Sequence, residues 1–413
     1  MIQQHVLIIG AVWVEPNASA AGSRMLQLIE QFLYQDWKIT FASTASRNKN
    51  SLDLTKFSID EVAIELNSNS FDVFIRELNP TMVVFDRFMT EEQFGWRVTE
   101  HCPNALRVLD TEDLHCLRKT RQEVLKKEEV FKVDDVLDSE LAKREIAAIL
   151  RSDLSLIISS YEMELLKSVF KIDDILLYHL PFMISPIMNE NIDNWMSFEE
   201  RKHFVFIGNF LHAPNVDTVL YLKNVLWKEI KKELPNAELH IYGAYPTQQI
   251  LEMHNDYESF LIKGFAKNAH TVIQSAKVML APIRFGAGIK GKLVEAMING
   301  TPSVASNIGA EGMSGDLNWS GFVEDDSKEF IRKAIRLYVE KEIWMSSQKK
   351  GVEIINSLYN KQPLGQNLIK KIESLQQVLP EHRKKNFIGS LLHHHTMKST
   401  MYMSKWIAAK NKN

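Results

Sequence analysis

Short apolar runs alternate with longer amphipathic segments through the first part of the chain. In residues 20–35, Met25, Leu28 and Phe32 recur at helical spacing. Apolar runs separated by such helical patterns are typical of buried strands. They occupy residues 6–13, 38–43, 82–87, 105–110, 154–159 and 175–180. The alternation predicts a parallel β-sheet covered by helices on both faces.

The same alternation restarts after residues 181–203, a segment with two prolines, several asparagines and no clear period. Its composition is typical of a connection between domains. The apolar runs that follow occupy residues 203–210, 237–243, 260–265, 277–283, 302–307 and 321–325. From Lys328 to about Val378 the pattern is helical throughout. The chain is therefore predicted to be α/β, with two doubly wound parallel-sheet domains.

We place the first domain at residues 1–185, a linker at 186–202, and the second domain with its closing helices at 203–380. A basic tail follows at 381–413, with seven Lys or Arg and a single acidic residue. Such a tail is expected to be mobile and solvated. The alternative is peripheral contact with an anionic membrane surface through a weak apolar stripe. That stripe consists of Met401, Met403, Trp406 and Ile407.

Composition limits the compartment and the partners. The 413 residues are 45% hydrophobic and 24% charged with a net charge of −3, which gives no reason to expect nucleic acid. Cys102 and Cys116 fit a reducing compartment, and no Cys/His group has zinc-binding spacing, so no metal site is predicted. The N-terminal apolar run lacks a basic region before it and predicts a first strand. We expect a cytoplasmic protein.

The segment APIRFGAGIKGKLVEAM, residues 281–297, contains Gly286, Gly288 and Gly291 at the spacing of a dinucleotide-binding fingerprint. That fingerprint should close the first strand of its unit, and an acid should end the next strand. Several strands precede this loop in its half of the chain, and the next strand ends in Ser306. A P-loop also fails, because Lys292 is followed by leucine rather than Ser or Thr. The pattern therefore argues against both motifs.

The residues around these glycines favour another kind of anion site. Glycines allow close backbone approach at a helix N-terminus, where free N–H groups and the helix dipole attract negative charge. Lys290 and Lys292 add cations suited to a diphosphate, and Glu295 lies one turn into the helix as an acceptor for ribose hydroxyls. The combination predicts a nucleoside-diphosphate site. The alternative is an ordinary turn with solvated lysines.

Residues 281–313, APIRFGAGIKGKLVEAMINGTPSVASNIGAEGM, resemble the donor-binding segment of the family 4 (group 1) glycosyltransferases. Residues 14–43, 155–166 and 204–222 are similar to other segments of that family, and the resemblance spans about residues 1–380. It implies the GT-B fold, in which two Rossmann-like domains face a cleft. It also implies a retaining, metal-independent hexosyl- or related transferase. The sugar would pass from a UDP- or GDP-sugar to a glycan, lipid-linked or protein acceptor, with no cofactor required.

The resemblance assigns roles to individual positions. Lys290 and Lys292 would neutralise the diphosphate as the sugar leaves, and Glu295 would bind the ribose. The nucleobase would lie near Gly264 and Phe265. The full set of implied donor-binding residues is Gly22, Gly208, Asn209, Gly264, Phe265, Arg284, Gly286, Gly288, Lys290, Lys292 and Glu295.

The chain departs from the family pattern at two places. Relatives often carry a carboxylate eight residues before Glu295, where this chain has Ala287. Many also have an Arg and a Lys after the first strand of the second domain, where this chain offers Asn209 and His212. Arg284, with the two lysines, is a candidate to compensate. Two other functions stay open: a GT-B nucleotide-sugar isomerase or epimerase, and a non-catalytic GT-B binding or partner subunit.

Residues 108–121, VLDTEDLHCLRKTR, place acids and a histidine at the end of a predicted strand of the first domain. A His or acid at this place faces the donor sugar in the related enzymes, so His115 and Asp113 are candidates for positioning or proton transfer. The alternative is capping of the next helix by Asp110 or Thr111, with a surface histidine.

Overall fold

The computed structural model describes residues 4–394 together with 399, 402, 403, 406 and 410. In this part of the chain the strands form two parallel sheets. The first sheet consists of β1 (His5–Gly10), β2 (Lys38–Ser43), β3 (Asp60–Ala63), β4 (Met82–Asp86), β5 (Leu106–Asp110), β6 (Leu154–Ile157) and β7 (Leu177–His179). Their order across the sheet is β3-β2-β1-β4-β5-β6-β7.

The second sheet has the order β10-β9-β8-β11-β12-β13. It consists of β8 (Lys202–Ile207), β9 (Leu239–Tyr242), β10 (Phe260–Gly264), β11 (Ala276–Ala281), β12 (Ser303–Ala305) and β13 (Gly321–Val323). Both sheets reverse their strand order, between β1 and β4 in the first and between β8 and β11 in the second. In open α/β sheets this switch point, at the carboxyl ends of the strands, is where ligands bind.

The helices cover both faces of each sheet. Those of the first domain and the linker are α1 (Ala20–Leu33), α2 (Ser70–Leu78), α3 (Phe88–His101), α4 (His115–Lys126), α5 (Glu140–Arg151), α6 (Ser160–Ser168) and α7 (Asn189–Asp193). Those after β8 are α8 (Ala213–Tyr221), α9 (Trp227–Glu233), α10 (Gln248–Leu251), α11 (Ala269–Ser275), α12 (Gly291–Ile298), α13 (Asn307–Ala310), α14 (Ser327–Val339), α15 (Lys341–Leu358), α16 (Lys361–Gln377), α17 (Leu379–Lys385) and α18 (Phe387–His393). Short 3-10 helices lie at Leu54–Phe57, Val133–Val136 and Asp174–Leu176, and a π turn, Leu222–Leu226, joins α8 to α9.

The central strands of the first sheet are buried on both faces, and their successive side chains point to opposite faces. In β1, Val6 and Ile8 belong to one apolar cluster, and Leu7 and Ile9 belong to the other. These residues are fully buried. The continuous apolar runs in the sequence are therefore strands of a sheet that is covered on both faces, as expected.

The last helices correct the predicted domain boundary at residue 380. Leu368 and Ile372 of α16 join the apolar cluster that covers the α1 side of the first sheet, and α16 contacts α1 directly. The chain therefore returns to the first domain after α15. The second domain ends before α16, because the apolar face of this helix is buried against the first domain.

The prediction of a mobile tail from residue 381 is wrong for residues 381–393. His382 is buried, and its ring lies 2.7 Å from the carbonyl oxygen of Asp153. Arg383 donates two hydrogen bonds of 2.8 Å to the Asp153 carboxylate, and α18 packs against α5. This ion pair, whose Asp153 carboxylate is buried, holds the segment on the first domain. Of the predicted apolar stripe, Met403 and Trp406 are exposed, and Met401 and Ile407 lie outside the described residues.

No helix among residues 4–394 and the described positions beyond them is long and apolar enough to span a membrane.

Candidate functional site

The predicted anion site lies at the switch point of the second sheet. Residues 282–290, here called the glycine loop, connect the carboxyl end of β11 to the N-terminus of α12. β11 pairs with β8 on one side and with β12 on the other. The loop faces the first domain, whose residues contact it directly. The sequence-predicted glycines and lysines therefore line the cleft between the domains.

The glycines of this loop allow close approach by the first domain. Gly288 has a φ of +63°, a conformation that L side chains rarely adopt, and a Cβ added there would lie 2.8 Å from the Cβ of Asp113. A side chain on Gly291 would collide with Ala20 at the start of α1. Both positions need glycine, one for its backbone conformation and both for the domain contact.

Lys290 and Lys292 lie together at the start of α12. Lys290 Nζ donates to the carbonyl of Gly288 at 2.8 Å, and Lys292 Nζ donates to Asn215 Oδ1 at 2.6 Å. Burial lowers the pKa of Lys290 to about 8, although Glu311 opposes the shift. Burial and the neighbouring Lys290 lower the pKa of Lys292 to about 8 as well. Each ammonium keeps N–H donors beyond the one in use, so the pair can bind an anion.

Glu295 lies one turn further along α12. Its carboxylate accepts no hydrogen bond from the residues that the structure describes. Burial raises its pKa, and His270 and Lys292 oppose this shift. An acceptor that is desolvated but unpaired within the protein is suited to the hydroxyls of a ligand.

Gly264 ends β10 and Phe265 follows it, at the same end of the second sheet. Gly264 has a φ of +75°, and a Cβ added there would meet no atom within 4 Å. The Phe265 side chain is 44% exposed. The positions are open, as a nucleobase site requires.

Gly208 and Asn209 lie in the turn after β8. A Cβ on Gly208 would come within 2.7 Å of the Asn215 side chain. Asn209 Nδ2 donates to the carbonyl of Ala18 at 3.2 Å, which joins the two domains. His212 follows, just before α8. Desolvation by the surrounding atoms and the charge of Arg118 lower its pKa to about 4.

Two predicted donor-binding residues are occupied elsewhere. The N–H of Gly22 is bonded to Ser19 Oγ at 3.0 Å, and its missing side chain leaves room for the backbone of Glu15. The Arg284 guanidinium forms an ion pair with Asp217 and lies over the Tyr221 ring. The donor contacts of Gly22 and Arg284 therefore stay predictions, and in this structure the Arg284 guanidinium is paired with a protein carboxylate.

The structure brings Asp113 and His115 to the glycine loop. His115 Nε2 lies 3.4 Å from Asp113 Oδ1, and Arg118 forms an ion pair with the same carboxylate. Burial opposes ionisation of Asp113, but Arg118, His115 and His212 together hold its pKa below the usual range. Burial lowers the pKa of His115 to about 4. At neutral pH the pair is a carboxylate beside a neutral imidazole.

The alternative of helix capping by Asp110 or Thr111 is wrong. α4 begins at His115, and its first amides are bonded to carboxylates from other helices. The N–H groups of His115 and Cys116 each donate to Glu145 at 2.9 Å. Buried acids from α5 and α6 therefore fix the position of the Asp113–His115 segment.

Sequence patterns missed the residues that join the glycine loop to the first domain. Glu162 Oε1 accepts the N–H of Gly288 at 2.8 Å and the N–H of Leu114 at 2.9 Å. Burial and Asp113 raise the pKa of Glu162 to about 8. No sequence signal marks this residue, since it lies far from the loop along the chain.

Arg121 is the second such residue. Its Nη1 donates to the carbonyl of Gly286 at 2.9 Å, and its guanidinium forms hydrogen bonds of 2.8 and 2.7 Å with Glu311. Arg121 belongs to α4 of the first domain, and Glu311 follows α13 of the second. Ala287, between the two bonded glycines, is 8% exposed and packs with an apolar cluster of the first domain. The place of the family carboxylate is thus filled by a buried apolar contact.

A group of acids lies at the carboxyl ends of β4 and β5. Asp86, Asp110 and Glu112 each have one carboxylate oxygen that is buried without a hydrogen-bond partner in the described chain. Burial and the charge of Asp110 raise the pKa of Glu112 well above its ordinary value, and burial also raises that of Asp86. Arg87 and Glu112 have φ values of +70° and +61°. Strained backbone and unpaired buried acceptors at a sheet's switch point mark this group as a second polar site on the first domain.

Residues 201–340 match the family described as glycosyl transferases group 1. The match covers the second sheet, the glycine loop and α14. It confirms the resemblance of that part of the chain and supports sugar transfer. No curated protein matches the sequence significantly.

Solved structures share the fold over nearly the whole chain. Sucrose-phosphate synthase from Thermosynechococcus elongatus is 14% identical, with a TM-score of 0.68 over 90% of this chain and 99% of that one. HepE from Anabaena in complex with UDP and glucose is 12% identical, with a TM-score of 0.64 over 90% and 100%. A TarM mutant from S. aureus, in complex with Fondaparinux, alpha-GlcNAc-glycerol and UDP, is 11% identical, with a TM-score of 0.66 over 90% and 99%. The fold is therefore GT-B, as the resemblance implied.

Proposed function

We propose that this GT-B protein, whose residues 201–340 match the group 1 glycosyltransferases, is a retaining glycosyltransferase that uses a nucleoside-diphosphate sugar. The observation that carries the proposal is the arrangement at the N-terminus of α12. Lys290 and Lys292 converge there, and Glu295 presents an unpaired carboxylate one turn later. Retention of anomeric configuration rests on the resemblance of the glycine loop.

The donor that we propose is a UDP-sugar. Two of the similar solved structures are described as complexes with UDP. In this chain the two lysines would bind the diphosphate and Glu295 the ribose hydroxyls, while the open surface at Gly264 and Phe265 would accept the base. We propose that no metal is needed for the leaving group, since protein cations can stabilise its developing charge.

His115 and Asp113 would position the transferred sugar. The neutral imidazole can donate to or accept from a sugar hydroxyl, and the Asp113 carboxylate keeps its ring in place. The close approach of Asp113 to Gly288 supports this role, since the pair would then lie next to the bound diphosphate. We propose a positioning role for this pair, with Lys290 and Lys292 supplying the charge that departure of the sugar requires.

The acceptor would bind to the first domain, near Asp86, Asp110 and Glu112. Glycans, lipid-linked sugars and glycosylated proteins all present hydroxyls, which carboxylate oxygens can bind. We propose a lipid-linked acceptor in particular, because α18 exposes Phe387 and Ile388, 66% and 54% accessible, next to basic residues of α17. Exposed apolar and basic side chains together favour an anionic membrane surface.

Sedimentation with anionic and neutral vesicles tests this membrane contact. Binding that requires anionic lipid and decreases in Phe387→Ser supports the contact, and no binding to either kind of vesicle contradicts it.

The test of the activity is incubation with UDP- and GDP-sugars, with and without a panel of acceptors. Transfer that needs an acceptor, and a product whose anomeric configuration matches the donor, supports the proposal. A new nucleotide sugar formed without acceptor would instead identify an isomerase or epimerase. Nucleotide binding without any turnover over a broad panel would identify a non-catalytic binding or partner subunit.

A further inference from the structure

Two histidines and a glutamate lie together at the amino ends of β8 and β9, at the opposite end of the second sheet from the glycine loop. The parallel register pairs Phe204 with Leu239 and Val205 with His240. His203 therefore lies beside Glu238, and Glu238 and His240 share one face of β9 because side chains alternate along a strand. Their separation along the chain conceals this cluster from any search for short metal-binding spacings.

The three side chains direct their ligand atoms at a common point. Glu238 Oε2 lies 2.7 Å from His240 Nε2 and 3.5 Å from His203 Nδ1. The ligand atoms of all three residues lie within 4.8 Å of one another, and the two imidazole rings are stacked with centroids 4.2 Å apart. This spacing permits one ion to contact all three side chains after small adjustments.

Two further observations point to a ligand at this place. His203 Nδ1 is buried and has no hydrogen-bond partner among the described residues. His203 also has a φ of +65°, a left-handed conformation that is uncommon for residues other than glycine. Unpaired buried nitrogen and a strained backbone are both costly in an ordinary strand end, and both are typical of binding sites.

We infer that His203, Glu238 and His240 form a binding site for a single Zn²⁺ ion. Neutral imidazole and carboxylate are zinc ligands, and three of them with water in the fourth position give a tetrahedral site. The site is remote from the proposed chemistry, since it lies at the amino ends of β8 and β9. Its role is to hold these two strands together.

Nearby charge sets the strength of the site. The positive charges of Lys202 and Lys263 both act on His203. The same charges oppose a divalent cation and are only partly balanced by Glu238. Lys263 is exposed, so its replacement should not disturb the core. Zinc should therefore bind more tightly to Lys263→Gln than to the wild type.

The experiment is a zinc titration by calorimetry, with thermal unfolding in parallel, on the full chain carrying His394→Ala and His395→Ala. These two changes leave one histidine of the consecutive run His393–His395, so that the run no longer competes for zinc. We expect one Zn²⁺ per chain and a rise in Tm, because an ion that binds only the native state stabilises it. Mg²⁺ should not bind, since it prefers oxygen ligands.

The discriminating variants are His203→Asn and His240→Gln. Asparagine tolerates the left-handed backbone at position 203 while removing the imidazole, so this variant should fold. Zinc binding should be lost in both and retained in the control His179→Ala, an exposed histidine of the first domain. Undiminished binding in His203→Asn and His240→Gln, equal binding of Mg²⁺, or no binding by the parent chain would overturn the inference. None of these results depends on whether the protein transfers sugar.

Discussion

The Glu162 carboxylate of α6 accepts the N–H of Gly288 at 2.8 Å, which bonds the first domain directly to the glycine loop of the second. The same oxygen accepts the N–H of Leu114 just before α4. One buried acid therefore aligns both sides of the cleft. Its second oxygen has no partner among the described residues, which fits a protonated carboxyl at neutral pH.

Replacing Glu162 by Gln should change the pH dependence of stability. The folded pKa is about 8 against an ordinary value of 4.5, so the unfolded chain loses this proton first as the pH rises. Between these values the wild type should lose up to about 1.4 kcal/mol of unfolding free energy per pH unit from this group. Glu162→Gln lacks that loss. Denaturant unfolding of both proteins should show that the Glu162→Gln variant becomes more stable relative to the wild type from about pH 5 to about pH 8. Unfolding free energies that change with pH in parallel would contradict the assignment.

Arg121 and Glu311 should act as one unit on the glycine loop. Because both hold the loop in position, Arg121→Met and Glu311→Gln should each lower kcat/KM for the donor by about 10- to 100-fold. The double variant should be little worse than the poorer single variant, since Arg121 is buried and its position depends on Glu311. Steady-state kinetics on the four proteins test this. Multiplicative losses would show that the two residues act independently.

A carboxylate restored at position 287 should be harmful. Ala287 packs with apolar side chains of the first domain, so Ala287→Glu would bury an unpaired charge. This should lower the free energy of unfolding by about 2–4 kcal/mol. Both Tm and donor affinity should fall, whereas Ala287→Ser should lose much less. Thermal unfolding with and without UDP measures both effects. Faster transfer by a stable Ala287→Glu variant would show instead that the cleft accommodates a carboxylate at position 287 and uses it in transfer.

Affinity for UDP should decrease as the pH rises through about 8. The pKa values of Lys290 and Lys292 are both about 8 in the free protein, so each loses its positive charge above that pH. Bound diphosphate raises these values and shifts the loss upward. Calorimetric titrations between about pH 7.5 and about pH 9.5 should show weakening binding in the wild type and a shallower slope in Lys292→Ala. Affinity that is constant over this range would contradict the lysine–diphosphate contact.

Much of the fold follows from local patterns, because a strand covered on both faces must be apolar throughout. β3 escaped prediction, since its sequence DEVA at the sheet edge is only half buried and carries two acids. The return of α16 to the first domain could not be predicted either. Its apolar face shows that it packs, but the surface it meets is decided by tertiary contact.

The candidate site likewise contains residues that the local sequence pattern predicts and residues that it does not. The positions of Lys290, Lys292 and Glu295 at the start of α12 were predictable because a strand, a loop and a helix N-terminus occur consecutively in the sequence. The ion pair of Arg284 with Asp217 of α8 was not predictable, and Glu162 was missed because its partner is a backbone N–H of the other domain. Interdomain contacts leave no periodic signal in a single sequence.

The central claim is that the N-terminus of α12 holds the diphosphate and ribose of a nucleotide. Calorimetry with UDP tests it most directly, on the wild type, Lys292→Ala, Glu295→Ala and the exposed control Lys349→Ala. We predict binding by the wild type and the control, and a loss of about 10- to 100-fold in each of the other two, or about 1.4–2.8 kcal/mol. Equal affinity in all four proteins would contradict the claim.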